Sequence, residues 1–150
     1  MKWVTRQQIR INRAATAWLV RRFIDPAAEF SFVDRDQVAT VQQRDGALGF
    51  DAPGARYPHQ DDQGRCSFEA LVDEHCKADP VLQRLAHIVH CADFDDPGAD
   101  AVAGAPEAAG LRAISLGFPL VTRDDHDTVE RAGFLYDALY AALAARTPAA

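Results

Sequence analysis

Two-residue alternation of apolar side chains stops before Ser67, and that limit decides what this chain can fold into. Before Ser67 short runs alternate, weakly from Trp3 to Arg6 and clearly in Glu29-Phe-Ser-Phe-Val33, which is the spacing of half-buried strands. After it, apolar side chains recur only at helical spacing. Between the two alternating runs, Ala15, Leu19 and Phe23 share one helical face in a segment from Asn12 to Ile24, with Asn12 as its N-cap and Asp25-Pro26 as its stop. The chain therefore opens β-α-β. Asp36 to Arg44 predicts a short helix closed by Asp45-Gly46, and Ala47 to Asp51 a further strand before the Pro53-Gly54 turn. The polar stretch from Arg56 to Arg65 reads as a loop or edge strand.

Beyond Ser67, one helix runs to about His75, and Asp79-Pro80 supplies an N-cap and a first-position proline for a second, carrying Leu82, Leu85, Ile88 and Val89 to about Ala92. Residues 93–104 read as a flexible surface loop. Glu107 to Leu116 and Asp124 to Ala145 are helical, separated by a break at Gly117-Phe118-Pro119, with Thr122 or Asp124 as the second N-cap. The expectation is an α+β fold: a small N-terminal sheet of three or four strands, then a mainly helical C-terminal half with three or four helices. A length of 150 residues with 48% apolar content matches a single domain over 1–150 with one core.

A net charge of -6, from 16 Lys and Arg against 22 Asp and Glu, gives no general attraction to nucleic acid or an anionic membrane. Any anion site must be a local basic patch. No apolar run is long enough for a membrane span and the first residues hold no apolar leader core, so a cytoplasmic location is expected. Cys66, Cys76 and Cys91 form an odd set without a Cys-x-x-Cys pair, which points to free thiols.

Several residues have the chemistry of a site, and each also has an ordinary reading. His90 and Asp93 are three apart near a helix end and can converge on one ion; alternatively Asp93 caps a turn and His90 sits where a helix C-terminus favours positive charge. His59 and Glu69 bracket HQDDQGRCSFE, in which Ser67 as N-cap puts Glu69 at the second helical position. A first-turn glutamate and an exposed loop histidine are the plain alternative. Cys66 follows Arg65 at a helix start, a setting that lowers a thiol pKa unless the thiol is buried and inert. Arg6, Arg10, Arg13, Arg21 and Arg22 make the first 22 residues basic, either to hold a tetrahedral oxyanion through paired N–H donors or to solvate a helix. Trp18 belongs either to the core or to a pocket wall.

The runs INRAATAWLVRRFIDPAAEFSFV, FDAPG, HQDDQGRCSFEAL, DPVLQRLAHIVHCAD, PEAAGLRAISLG and DDHDTVERAGFLYDALYAAL, in that order, resemble the C-terminal domain family of the bacterial chromate-resistance protein ChrB over nearly the whole chain. The resemblance implies a link to chromate resistance. In longer members a basic regulatory region precedes this domain, so DNA binding is not carried over, and a small oxyanion such as chromate is the implied partner. The resemblance falls on His59, Cys66, Phe68, Glu69, His90, Asp93 and Glu107, on Arg13, Trp18 and Arg22, and on Asp124, Asp125 and His126. It departs at Thr16-Ala17, where many members carry Cys-Pro, which leaves no thiol at that position.

Together these give the functional expectation: one or two divalent or transition-metal ions (zinc, iron or manganese) on His59, Glu69, His90, Asp93 and Glu107. Arg13 and Arg22 beside Trp18 would hold the oxyanion, Cys66 is a candidate thiol, and Asp125 and His126 would support the site. A metal-dependent enzyme, redox or hydrolytic, and a non-catalytic oxyanion sensor both remain open, as does a buried hydrogen-bonded network without a ligand.

Overall fold

The computed structural model describes residues 1–146. Strand β1 (Lys2–Arg6) leads through a turn to α1 (Ile11–Leu19), which continues as a single π-helical stretch, Val20–Ile24; β2 (Glu29–Val33) and a 3₁₀ turn (Arg35–Gln37) then precede α2 (Val38–Asp45) and the short β3 (Leu48–Gly49). The rest is helical: α3 (Ser67–His75), α4 (Pro80–Asp93), α5 (Ala99–Ala103), α6 (Ala108–Val121) and α7 (Asp125–Arg146). The expected α+β division at Ser67 is present, with α5 as one more helix than expected, in the segment read as a loop.

All three strands are parallel, in the order β2-β1-β3, with Trp3 opposite Phe30 and Leu48, and Val4 opposite Ser31 and Gly49. The central strand is covered on both faces, as parallel sheets require. Trp3 points into the main core with α1, while Val4 packs against Val38 and Val41 of α2 in a smaller cluster. The approach of α2 is close enough that a Cβ on Gly49 would stand 2.5 Å from Gln42 Oε1, which accepts the Gly49 and Arg56 N–H groups and so ties down the chain after β3. Gly46, at φ +63, closes α2 where the Asp45-Gly46 signal placed its end.

Helix α1 is buried at all nine positions, because α3, α4, α6 and α7 all pack against it. That location changes what its polar residues do. Asn12 is not the N-cap, which is Arg10. Its side chain instead donates to Ser67 Oγ (2.7 Å) and accepts from Phe68 N (3.3 Å), serving the start of α3 from a distant element. Correspondingly Cys66, not Ser67, is the N-cap of α3, so Glu69 stands at the third helical position and accepts the Cys66 N–H at 2.9 Å. Asp79 caps α4 as expected, accepting from Val81 and Leu82, and Asp124 accepts the Asp127 N–H at the start of α7. The break expected at Gly117-Phe118-Pro119 is absent: α6 continues through Pro119 to Val121.

The three tyrosines are held by this packing. Burial pushes the Tyr57 hydroxyl up to about 12, and burial likewise raises Tyr136 and Tyr140. A raised acid keeps its proton in the fold, so this contribution to stability is complete below the unfolded value of about 10 and is lost as pH rises through the folded values. Ultraviolet titration of the native protein should therefore show less tyrosinate at about pH 10 than free tyrosine, which is half ionised there; an equal signal would contradict the packing.

Candidate functional site at the carboxyl ends of the strands

In the order β2-β1-β3 the chain leaves β1 toward one neighbour while β3 lies on the other side, so the loops after β1 and β3 diverge and leave a crevice at their carboxyl ends. Asp51, two residues past β3, occupies it. Its backbone is left-handed (φ +51), a conformation aspartate tolerates better than most residues, and its side chain is almost fully buried. Oδ2 receives Arg13 Nη1 at 3.1 Å, with Arg6 Nη2 at 3.8 Å, while Oδ1 is 2.7 Å from His59 Nδ1. Arg13 also donates to the Gln8 carbonyl at 3.1 Å. The Asp125 carboxylate fixes the same turn by accepting the Gln8 and Ile9 N–H groups at 2.9 and 2.8 Å, which holds Gln8 at φ +59.

Asp93, at the end of α4, faces this group: its Oδ2 is 3.5 Å from His59 Nδ1 but is buried without a hydrogen-bond partner. Burial, with the negative Asp51 nearby, pushes the Asp93 carboxyl up to about 6. The hydrogen bond to Asp51 raises the His59 imidazole above its ordinary value, against the opposing effect of burial. A second imidazole–carboxylate pair stands alongside, with His90 Nδ1 2.5 Å from Glu69 Oε1. Phe94, the residue after α4, joins the pairs by lying edge-on to both imidazoles, with centroids at 5.1 Å from His59 and 4.5 Å from His90.

Of the five residues expected to hold metal, His90 and Glu69 thus form one hydrogen-bonded pair, while His59 is paired with Asp51, which was not expected, and has Asp93 Oδ2 at 3.5 Å. Glu107 does not join them: its ion pair is with Arg146 at 3.3 Å, and its Oε2 is buried without a partner. Among the described residues no three His, Cys, Asp or Glu side chains stand as a ready group around one point. Both imidazoles do have Nδ1 engaged by a carboxylate, the arrangement that presents Nε2 to an ion.

Arg13, Arg22 and Trp18 are not brought to one place. Arg13 turns to Asp51, whereas Arg22, mostly exposed, lies 3.6 Å from Asp137, to which the Trp18 indole donates at 2.9 Å. Trp18 packs among Phe23, Tyr136 and Tyr140, in the core. A carboxylate between Trp18 and Arg22 disfavours an anion there. The Cys66 thiol is fully buried, and burial together with Glu69 raises its pKa well above the ordinary value, so the inert alternative describes it. His126 packs edge-on against Phe32, at 4.9 Å.

Sequence reasoning missed Asp51 and Phe94 as site residues. Asp51 sits in the FDAPG run and was read only as the end of a strand; the signal available was a carboxylate at a strand's carboxyl end before a Pro-Gly turn.

Among the described residues no helix is long and apolar enough to cross a membrane. No solved structure matches the chain. It is 37% identical over 142 residues to Protein ChrB of Cupriavidus metallidurans, an alignment that covers 93% of this chain and 40% of that protein, so the chain spans about two fifths of its relative. A family model described as ChrB, C-terminal domain, matches residues 3–143, and with that coverage the chain belongs to the ChrB C-terminal domain family.

Proposed function

We propose that the chain is a metal-binding, oxyanion-handling domain serving chromate resistance, with the ion held by Asp93, His59 and His90. Asp51 and Glu69 then orient the imidazoles rather than ligate. The observation that carries this reading is the Asp93 Oδ2 atom, a buried carboxylate oxygen that faces an imidazole at 3.5 Å and accepts no hydrogen bond. Such an atom costs free energy unless a cation or donor meets it. Imidazole and carboxylate together suit zinc, iron or manganese. When bound, the ion would supply Lewis acidity toward an oxyanion or water. The chain's own contribution is orientation: Asp51, held by Arg13, fixes the ring of His59, and Glu69, held by the Cys66 N–H, fixes that of His90.

Protein purified without a metal-affinity tag is expected to carry about one zinc, iron or manganese ion per chain by elemental analysis. The Asp93→Ala, His90→Ala double variant, folded by circular dichroism, should carry none. Wild-type protein that arrives empty and takes up none of the three metals on titration would end the proposal. Turnover of chromate with an added reductant distinguishes an enzyme from a binding module.

A further inference from the structure

We infer that the outward face of α6, together with Phe134 of α7, is the interface of a twofold dimer, its occupant being the same face of a second copy of this chain. Leu111 and Ser115 turn one side of α6 toward the core. On the other side Ile114 (52% exposed), Leu116 (42%), Leu120 (84%) and Val121 (67%) stand in solvent. Arg112, the one charged residue of the helix, is not among them, because it reaches back to the Ala92 and Asp93 carbonyls and to Asp95. Phe134, 82% exposed, is one turn along α7 from Arg131, whose guanidinium donates to the Val121 carbonyl at 2.8 Å, which places the ring next to the end of this face.

The area favours a second copy. Side chains of this size present roughly 150–250 Å² each when free, so at these exposures the five offer on the order of 600 Å² per copy. A twofold axis through the face would bury about 1,200 Å² in all, which is what a specific dimer needs. On a solitary chain a patch of that size is already at the upper end of what is exposed. Charge points the same way. A net charge of -6 makes two copies repel in general, but a twofold through a face without ionised side chains brings no like charges together. The backbone is shaped for a close neighbour. A Cβ added at Gly110 or Gly117, two turns apart on this side of α6, would meet open space, so nothing packed within the chain requires glycine at either position. Glycine inside a helix costs stability, and a helix of a second copy crossing here would use the missing side chains to bring the two backbones close.

The test is sedimentation equilibrium of the full chain, for which an interface of this size predicts a dimer with a micromolar dissociation constant. Leu120→Glu should weaken that dimer by about a hundredfold or more, because the twofold puts the new carboxylate into the apolar face twice. Leu120 is mostly exposed within one copy, so circular dichroism should show the variant folded. Gly117→Gln separates an interface from a merely apolar surface. It gives α6 a better helix former with room for its side chain in the single chain, so the melting temperature of dilute protein should hold or rise while dimerisation weakens about tenfold or more. Wild-type protein that stays monomeric up to about 100 μM would overturn the inference and leave the face to a different partner. A dimer that either substitution leaves as tight as wild type would also overturn it, since such a dimer uses another surface.

Discussion

Asp51→Asn is expected to lower the unfolding free energy by about 3–5 kcal/mol, the cost of leaving a buried charge without its counter-ion. Asn tolerates the left-handed backbone that Asp51 adopts, so the substitution removes charge with little added strain. Arg13, 8% exposed, would remain among buried atoms facing an amide, with Arg6 beside it. The amide has a single oxygen, so it can accept from Arg13 or from His59 but no longer from both. Urea denaturation gives the measurement, and a loss below about 1 kcal/mol, typical of exposed pairs, would show that the Arg13–Asp51 pair is not the buried contact described. An Arg13→Met, Asp51→Asn double variant should recover part of the loss, since two neutral groups leave no unmatched charge.

Trp18→Ala should be comparably costly, at about 3–5 kcal/mol, because it empties an aromatic site in the main core. Phe23, Tyr136 and Tyr140 all contact the indole ring, at centroid separations of 5.4, 5.7 and 6.2 Å. The melting temperature should fall by on the order of 10 °C. Trp18→Phe, which keeps most of the volume and loses only the hydrogen bond to Asp137, should cost far less. If instead Trp18→Phe abolished oxyanion binding at unchanged stability, the tryptophan would line a ligand pocket after all.

The class of fold was legible because hydrophobic period is a local property: alternation in Glu29–Val33 and helical spacing after Pro80 survive any tertiary arrangement. Caps were legible only where the partner is a near neighbour. Asp79 caps α4 through residues two and three ahead, and it was found; Asn12 serves α3, 55 residues away, and was misassigned to its own helix. The same limit applied to the site. His90 and Asp93 were visible as an i, i+3 pair, but nothing local says that Asp51 joins them through His59. The position of Arg13 depends on the helices that bury α1 from several sides, which is why a basic helix read as one patch divides between Asp51 and Asp137.

The turn that carries Gln8 and Ile9 is held by Asp125, 117 and 116 residues further along. A growing polypeptide emerges from its amino end, so β1 and the basic turn exist long before their clamp does. During that interval the sheet and α1 can assemble, yet the arginines lie on a turn without its final restraint. Order in this turn should therefore arise abruptly with chain length, when α7 is released, and stalled chains ending before residue 125 should keep β1 and β2 while the Gln8 and Ile9 amide hydrogens exchange freely.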